Sequence, residues 1–363
     1  MPADFSAPIT EGFLRGTNPY LTPDVFATKW QASLAVSATR FARAYPGGYH
    51  ADLARVDARR ILATEGLCFG DAHPDNFGFL SIVGATKFVF NDLDDSGYCP
   101  LALDFARFLA VVRLMFPTAQ APLKAPVEDA LTQYVDAVFD PTLVTTIDPS
   151  FVPDMAAVAA RALDKATTAG KLKLDVDVVA PTDAERAELL ALAAADPRLS
   201  TLTVRDVAVR QRDDGGSGGL RRYWLLVDRP GMTRTVIELK ESVTPGVDLG
   251  RQTQTLTPNT RLPVLTRAFW GATPTDDYFY VTAFGARFIL RDRMPRKSID
   301  LTAVTEAERA GVLRAEASVM AATQGAAWRA SGLDKAEVRA WLDRSGATLA
   351  DRWQGAYDTL RVP

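Results

Sequence analysis

Histidine and cysteine are almost missing from this 363-residue chain, which holds only His50, His73, Cys68 and Cys99. That scarcity excludes zinc fingers, four-cysteine or three-histidine zinc sites and a disulfide framework. The two cysteines read as reduced, buried packing residues. An excess of positive charge is missing too. Lys and Arg number 41 against 44 Asp and Glu, for a net charge of −3. No basic surface for nucleic acid or an anionic membrane is predicted, and neither partner is expected. Lysine is scarce, 9 of the 41 basic residues, so a lysine inside a motif carries information. No uninterrupted apolar run is long enough to span a bilayer. The most apolar stretch, Leu101 to Phe116, is broken by Asp104, Arg107 and Arg113. Met1 to Glu11 lacks the basic-then-apolar order of an export signal. The expectation is a soluble cytoplasmic protein; its oligomeric state is not legible.

What remains is ordinary globular material, 47% apolar and 23% charged, long enough for two domains or one bilobal unit. Ala-, Leu- and Arg-rich stretches predict helices over 32–44 and 51–64. Gly66 to Gly70 is short and apolar. Phe77 to Val83 and Thr86 to Phe90, joined by Gly84-Ala85, predict a β-hairpin. Leu101 to Phe116 returns to helical spacing, and helices are expected at 126–139, 150–168 and 182–195. Residues 200–297 change character. Leu202 to Arg212, Arg221 to Asp228, Thr233 to Glu241, Tyr278 to Phe284 and Arg287 to Arg293 are five strand candidates. They are separated by turns such as Gly215 to Gly219 and Arg229-Pro-Gly231, with about one helix within 247–270. Thr305 to Arg329 and Asp334 to Asp343 are helical again. The expected fold is α+β in three parts: a helical 1–199, a β-rich 200–297, and helices over 298–363 that return to the first part.

The densest chemistry is Gly70-Asp-Ala-His-Pro-Asp-Asn76 followed by Asn91-Asp-Leu-Asp-Asp95. The hairpin between them brings its two flanking loops to one end, so Asp71, Asn76, Asp92 and Asp94 can converge. An amide oxygen with one or two carboxylates suits Mg²⁺ that keeps waters and phosphate oxygens. A carboxylate five residues before the Asn can sit beside such a metal and take a proton from a hydroxyl. Any one of these acids alone would read as a solvated turn residue; the set points to a metal site. His73 reads as a structural hydrogen-bonding residue of the loop.

Gly215-Gly-Ser-Gly-Gly219 lies between two strand candidates, where glycines let backbone N–H groups approach a phosphate. On the strand that follows the next turn, Val236, Glu238 and Lys240 share one face and Ile237 and Leu239 the other. A lysine there, about twenty residues past the Gly-rich turn, is placed to grip a nucleotide triphosphate. Tyr223 and Trp224 read as core of this β-rich part.

Gly70 to Asn76 resembles the catalytic loop of aminoglycoside and choline kinases, His-Gly-Asp-x-His-x-x-Asn. Asn91 to Tyr98 is similar to their metal-binding Ile-Asp-Trp/Phe segment, and Leu103-Asp-Phe-Ala-Arg107 to the Asp-Leu-Ala-Arg that opens their next helix. Over about 13–325 the chain resembles an uncharacterised bacterial family of unknown function (DUF2252). The resemblance rests on Phe13-Leu-Arg-Gly16, Gly70 to Gly78, Asn91 to Asp95, Gly216 to Gly219, Lys240-Glu241 and Arg291 to Lys297. It implies a bilobal protein kinase-like fold, circularly permuted, because the catalytic loop precedes the Gly-rich loop. It implies an ATP- and Mg²⁺-dependent phosphotransferase acting on a hydroxyl of a small molecule or protein side chain. AMP transfer and a nucleotide-binding pseudokinase are the alternatives. In that resemblance Asp71 is the base, Asn76 and Asp92 hold Mg²⁺, and Asp94 serves a second metal or a metal-bound water. Lys240 contacts the α/β-phosphates, and Gly216, Ser217, Gly218 and Gly219 cover the phosphates. Asp104 steadies the catalytic loop, and Arg287 to Met294 leads to an adenine-binding hinge. Arg15 reads as an anchor of the N-terminal segment. Two positions depart from the pattern. Phe69 replaces the leading His, and no Glu lies between Glu241 and Glu306. The usual partner of the strand lysine is therefore missing from the inserted helix, leaving Glu238 or Glu241 as substitutes, or Lys240 held otherwise.

Overall fold

Short polar side chains set where the helices start. In the computed structural model, which describes residues 7–53, 59–116, 124–230, 234–249, 256–274, 278–293 and 296–361, Thr10, Thr22 and Ser37 cap α1 (Glu11–Gly16), α2 (Pro23–Leu34) and α3 (Ala38–Ala44) by accepting from backbone N–H groups three residues on. Ser37 is the reason the helix expected over 32–44 is two helices. Next come α4 (Pro46–Leu53), α5 (Arg59–Leu62), β1 (Glu65–Cys68), the hairpin β2 (Phe77–Ile82) and β3 (Ala85–Phe90), and β4 (Gly97–Pro100). Then follow α6 (Leu101–Met115), α7 (Lys124–Phe139) and α8 (Met155–Ala166), whose start is fixed at 155 by Asp154 accepting from Ala156 and Ala157. Three short strands not expected from the sequence, β5 (Thr167–Thr168), β6 (Lys171–Leu172) and β7 (Val178–Val179), precede α9 (Asp183–Ala195). Strands β8 (Thr203–Arg210), β9 (Arg222–Asp228) and β10 (Thr235–Glu241) lead to α10 (Pro258–Trp270), then β11 (Tyr278–Ala283), β12 (Ala286–Asp292) and β13 (Arg296–Lys297). The chain closes with α11 (Glu306–Ala330) and α12 (Lys335–Leu360). Thr305 with Glu308 builds a capping box for α11, and α12 runs well past the expected end at 343. Thr233, the turn at Gly231 and the hinge residue Met294 lie outside the described residues, as does the middle of the helix expected over 51–64.

Alternation decides the main sheet. Its order is β11-β12-β10-β9-β8-β7, with every pair antiparallel. One face buries Ile237, Leu239, Tyr223, Leu225 and Phe288 against Leu189 and Ala193 of α9. The other buries Val236, Leu226 and Trp224 with Ala166 and Val178. Lys240 and Glu238 share that second face by period. In the helical part, α6 is buried along almost its whole length, packed by α12, while α7 packs on α11. Phe105 stacks on Tyr134 with ring centroids 3.6 Å apart. The two parts are stitched where β13 pairs with β2, Arg296 opposite Leu80. Arg15 is exposed at the end of α1. No described helix is long and apolar enough to cross a membrane.

One expectation is overturned. Cys68 and Cys99 are not reduced; they form a disulfide. The antiparallel pairing of β1 with β4 sets Cys68 opposite Gly97 and Gly66 opposite Cys99, so the cysteines are diagonal neighbours on one face. Their Cα atoms are 5.7 Å apart, inside the range a disulfide bridges. Spacing in sequence, 31 residues, gave no hint of it.

Candidate functional site

The acidic loop begins with a backbone that only glycine tolerates. Gly70 has φ +78°, and a Cβ there would strike the Asp95 carbonyl oxygen. The two acidic segments thus touch at Gly70. Asp104, buried in the first turn of α6, accepts from Phe69 N–H (2.8 Å) and Gly70 N–H (2.9 Å) and from Gln324 Nε2 (2.7 Å). Burial pushes its carboxyl up to about 6, against the pull of those donors. His50 Nε2 donates to the Gly70 carbonyl (2.7 Å) and Ser96 Oγ to the Phe69 carbonyl (2.8 Å). Burial lowers the His50 imidazole to about 4, so it is neutral at ordinary pH. Phe69, in place of the expected His, stacks on Phe269 of α10 at 4.3 Å and meets Phe90 edge-on. An aromatic contact therefore ties the loop to α10.

Within this frame Asp71 is held by charge. Arg107, fully buried three residues beyond Asp104 on α6, places its Nε 3.1 Å from Asp71 Oδ1 and a terminal NH₂ on the same oxygen. His73 Nε2 lies 3.4 Å from the other oxygen and accepts from Arg43 Nε. Burial alone would raise the Asp71 carboxyl; the Arg107 and His73 neighbours hold it far below the usual carboxylate range. Asn76 Nδ2 donates to the Asp71 carbonyl (3.0 Å). That orientation leaves the amide oxygen of Asn76 without a donor among the described residues.

Asp92 and Asp94, after the hairpin, face Lys240 of β10. The Lys240 ammonium pairs with Asp94 and lies 3.5 Å from Asp92 Oδ1. Arg291 is 3.7 Å from the same Asp92 oxygen. Burial would raise Asp92; Lys240 and Arg291 hold it below its ordinary range. Neither expected substitute partners Lys240. Glu238 is bonded by Arg222 (3.1 Å), Trp224 Nε1 (3.0 Å) and Arg291 (2.7 Å), and Glu241 by Arg221 (2.7 Å). Lys240 is instead held by the acidic segment itself.

The inserted helix contributes an arginine. Arg261 of α10 is 3% exposed and donates to the carbonyls of Leu93 (3.1 Å), Ser96 (2.8 Å) and Asp94. These three carbonyls belong to the segment that carries Asp92 and Asp94, so the guanidinium sets its shape.

The Gly-rich turn is pinned to the helical part. Lys29 of α2 is fully buried and donates to the Gly216 carbonyl (2.9 Å), and Arg40 of α3 pairs with Asp214; within the β-rich part itself, Arg222 of β9 bonds Ser217 Oγ. Asp71, Asn76, Asp92, Asp94, Gly216, Ser217 and Lys240 all line one cavity of about 120 Å³. Gly218 and Gly219 do not. Gly218 folds back on the Asp213 carbonyl, and Gly219 (φ +82°) backs onto Val25 of α2.

Among the described residues no three His, Cys, Asp or Glu side chains gather in a metal-holding cluster. The donors at hand are two carboxylates and the Asn76 amide. Asp92 Oδ1 and both Asp94 oxygens are buried and accept no hydrogen bond beyond their ion pairs with Lys240 and, for Asp92, Arg291. This hard-oxygen set fits a Mg²⁺ ion that retains waters.

Sequence reasoning assigned Asp104 but passed over its neighbour Arg107, although a charge inside the apolar 101–116 stretch needs a buried partner and signals one. Arg43, Lys29 and Arg261 carried no such signal, since each stands in a segment of mixed polarity. No curated protein and no solved structure matches the chain. Residues 22–141, from α2 through α7 and so including both acidic segments, match the family described as an uncharacterized protein conserved in bacteria (DUF2252).

Proposed function

We propose that this chain is an ATP- and Mg²⁺-dependent phosphotransferase acting on a hydroxyl of a small molecule or protein side chain, built on a circularly permuted kinase-like bilobal fold. One observation carries the reading. Residues from 71–94 and 216–240, far apart in sequence, line a single cavity, which supports it because phosphoryl transfer needs carboxylates, an amide oxygen, a lysine and backbone N–H groups around one phosphate chain. Lys240 is on the third long strand of the β-rich part, after the Gly-rich turn, and one helix follows it. The acidic hairpin precedes this part in the chain, which is what a permutation would do.

In this reading Asn76, Asp92 and Asp94 would hold the metal. Bound there, Mg²⁺ would offset the charge on the phosphate oxygens. Asp71, ionised and fixed by Arg107, orients the acceptor hydroxyl. As the acceptor oxygen bonds to the γ-phosphorus and the bond to the ADP oxygen breaks, the hydroxyl proton passes to Asp71. A carboxylate with so low a pKa is a weak base, so its main contribution is alignment. Lys240 exchanges its carboxylates for phosphate oxygens, and the N–H groups of the Gly216-Ser217 turn lie beside them.

Calorimetric titration of ATP, with and without Mg²⁺, tests the reading. Metal-dependent binding weakened at least tenfold by both Asp92→Ala and Lys240→Ala is expected. With binding established, Asp71→Asn should retain nucleotide affinity and lose ATP turnover. Absence of ATP binding under either condition removes the reading. Mass spectrometry of the product distinguishes phosphoryl from AMP transfer.

A further inference from the structure

Behind the acidic cavity lies a recess of opposite character. It measures about 320 Å³ and is walled by Arg210, Arg212, Arg222, Arg291, Arg293 and Arg296, opposed only by Glu238 and Asp292. It shares Arg210, Arg293 and Arg296 with a neighbouring recess of about 390 Å³ whose further basic residues include Arg161, Lys165, Lys173 and Lys297. This cationic concentration stands in a chain of net charge −3.

Part of the charge is compensated within the protein. Glu238 takes Arg222 and Arg291, Asp177 pairs with Arg210 (2.9 Å), and Asp214 lies 3.3 Å from Arg212. Arg293 and Arg296 have no ion pair among the described residues. Arg293 lies over the Trp224 ring at 4.2 Å, which fixes its guanidinium at the wall without neutralising it. Guanidinium groups crowded in this way repel one another unless an anion sits among them.

A second, independent observation points to a ligand. Three buried polar groups of the lining have atoms with no hydrogen-bond partner: both amide atoms of Asn91, the Tyr278 hydroxyl and Arg222 Nε. Asn91 is 4% exposed and Tyr278 5%. Buried polar atoms are seldom left unpaired, since each costs free energy until something bonds it. A recess of this volume is in the range of small-molecule sites.

We infer that this recess binds a small polyanion bearing clustered phosphates, held by the guanidiniums of Arg293 and Arg296 with Arg210 and Arg212 beside them. Arginine forks match phosphate and carboxylate oxygens alike; it is the number of guanidiniums around one recess that favours a ligand of several negative charges over a lone carboxylate. Charged walls do not suit a neutral purine ring, so the anionic part of the ligand occupies this space. Arg212 and Arg296 line both the recess and the acidic cavity, so the bound anion abuts the cleft. The inference stands without the phosphotransfer reading: Arg293 lies in the 287–294 segment which that reading leads to the adenine site, but no guanidinium of the recess is given a part in the transfer itself.

Titration of inorganic tripolyphosphate into the full chain without divalent cations, followed by calorimetry, tests it. Arg293 and Arg296 are exposed, so Arg293→Ala and Arg296→Ala should fold as the wild type does, which thermal melting checks. Each is expected to weaken binding about tenfold and the double variant more than thirtyfold. Arg314→Ala, a surface arginine on α11 paired with Asp129, should leave affinity unchanged. Raising the salt should weaken wild-type binding steeply. No binding at millimolar tripolyphosphate, or arginine variants within threefold of wild type, overturns the inference. Citrate binding as tightly as tripolyphosphate overturns the phosphate assignment. Loss of binding on Lys240→Ala with the arginine variants intact would put the anion in the cleft, refuting the recess while leaving the phosphotransfer reading standing.

Discussion

Replacing Arg261 with alanine would isolate what the inserted helix does for the acidic segment. The guanidinium satisfies the carbonyls of Leu93, Asp94 and Ser96 in a site that excludes solvent. Each buried acceptor left unpaired costs about 1–3 kcal/mol. The Leu93 carbonyl keeps the Ser96 N–H as a donor, so the two carbonyls left unpaired would give roughly 2–6 kcal/mol, reduced where water enters the space the side chain vacates and by the relief of no longer burying the guanidinium. The net expectation is a loss of about 3 kcal/mol, which is a large share of the ~5–15 kcal/mol that holds a domain folded. Urea unfolding with an unchanged slope measures it. Arg261→Lys should recover only part, because one ammonium cannot reach all three carbonyls. The segment's shape should matter beyond stability. Leu342→Ala, a core truncation on α12 remote from the cleft, provides a variant of similar stability loss. Mg²⁺-nucleotide affinity should fall several-fold more in Arg261→Ala than in Leu342→Ala. An Arg261→Ala protein within about 1 kcal/mol of wild type, or an Arg261→Lys protein equal to wild type, would refute the clamp.

Breaking the Asp71–Arg107 pair should cost more than an ordinary surface change. Arg107→Met leaves a buried carboxylate uncompensated and is expected to destabilise by about 3–5 kcal/mol, with Asp71→Asn added on top restoring part of it in a double-mutant cycle; additive losses would mean the two groups do not interact. His50 has a folded value of about 4 against 6.5 unfolded, so between those values the unfolded chain binds the extra proton. Stability is therefore complete above pH 6.5 and falls by about 3 kcal/mol on acidification to pH 4. His50→Gln, which keeps a donor for the Gly70 carbonyl, should flatten that slope, and an unchanged slope would assign it to other groups. The Cys68–Cys99 bridge closes a loop of 31 residues, and its removal by Cys68→Ala/Cys99→Ala should lower stability by ~3–4 kcal/mol on the chain-entropy account. Thiol titration of unfolded, unreduced protein should find none; two free thiols would show that the bridge is not formed.

How much of this could be read from residues alone depends on the range over which each constraint acts. The hairpin, the five long strands and α10 follow from local alternation and turn chemistry, and those signals lie within ten residues of one another. The placement of Asp104 under the loop followed from a motif, and the structure adds why an acid is needed: two backbone N–H groups point at one spot. Arg107 was legible by the same logic, since a charge in a buried helix must be met by another. What meets Lys240 was not legible. Its partners sit about 150 residues earlier, and the nearer glutamates are drawn off by arginines, Glu238 by Arg222 and Arg291 on the neighbouring strands and Glu241 by Arg221 just before β9. The disulfide failed for a related reason, because its closeness is made by strand register rather than by spacing.

Charge compensation ties these long-range features together. Asp71 is met by Arg107, Asp75 by Arg43, and Asp92 and Asp94 by Lys240. These four carboxylates are thus met by protein cations, while Asp95, which lines the same cavity, accepts only the Gly246 N–H among the described residues. A metal can reach Asp92 and Asp94 only as Lys240 leaves them, and Lys240 can leave only for another anion, since an unpaired ammonium in so buried a place is costly. On the proposed function, metal and polyphosphate would therefore favour each other's entry by the same exchange of partners. The arginine recess does the opposite: it holds cations in excess and leaves Asn91 and Tyr278 unsatisfied. The cleft carboxylates have protein counter-ions and the recess guanidiniums of Arg293 and Arg296 have none among the described residues, so on the proposed readings an anion would meet the arginines first and reach toward Lys240 from there.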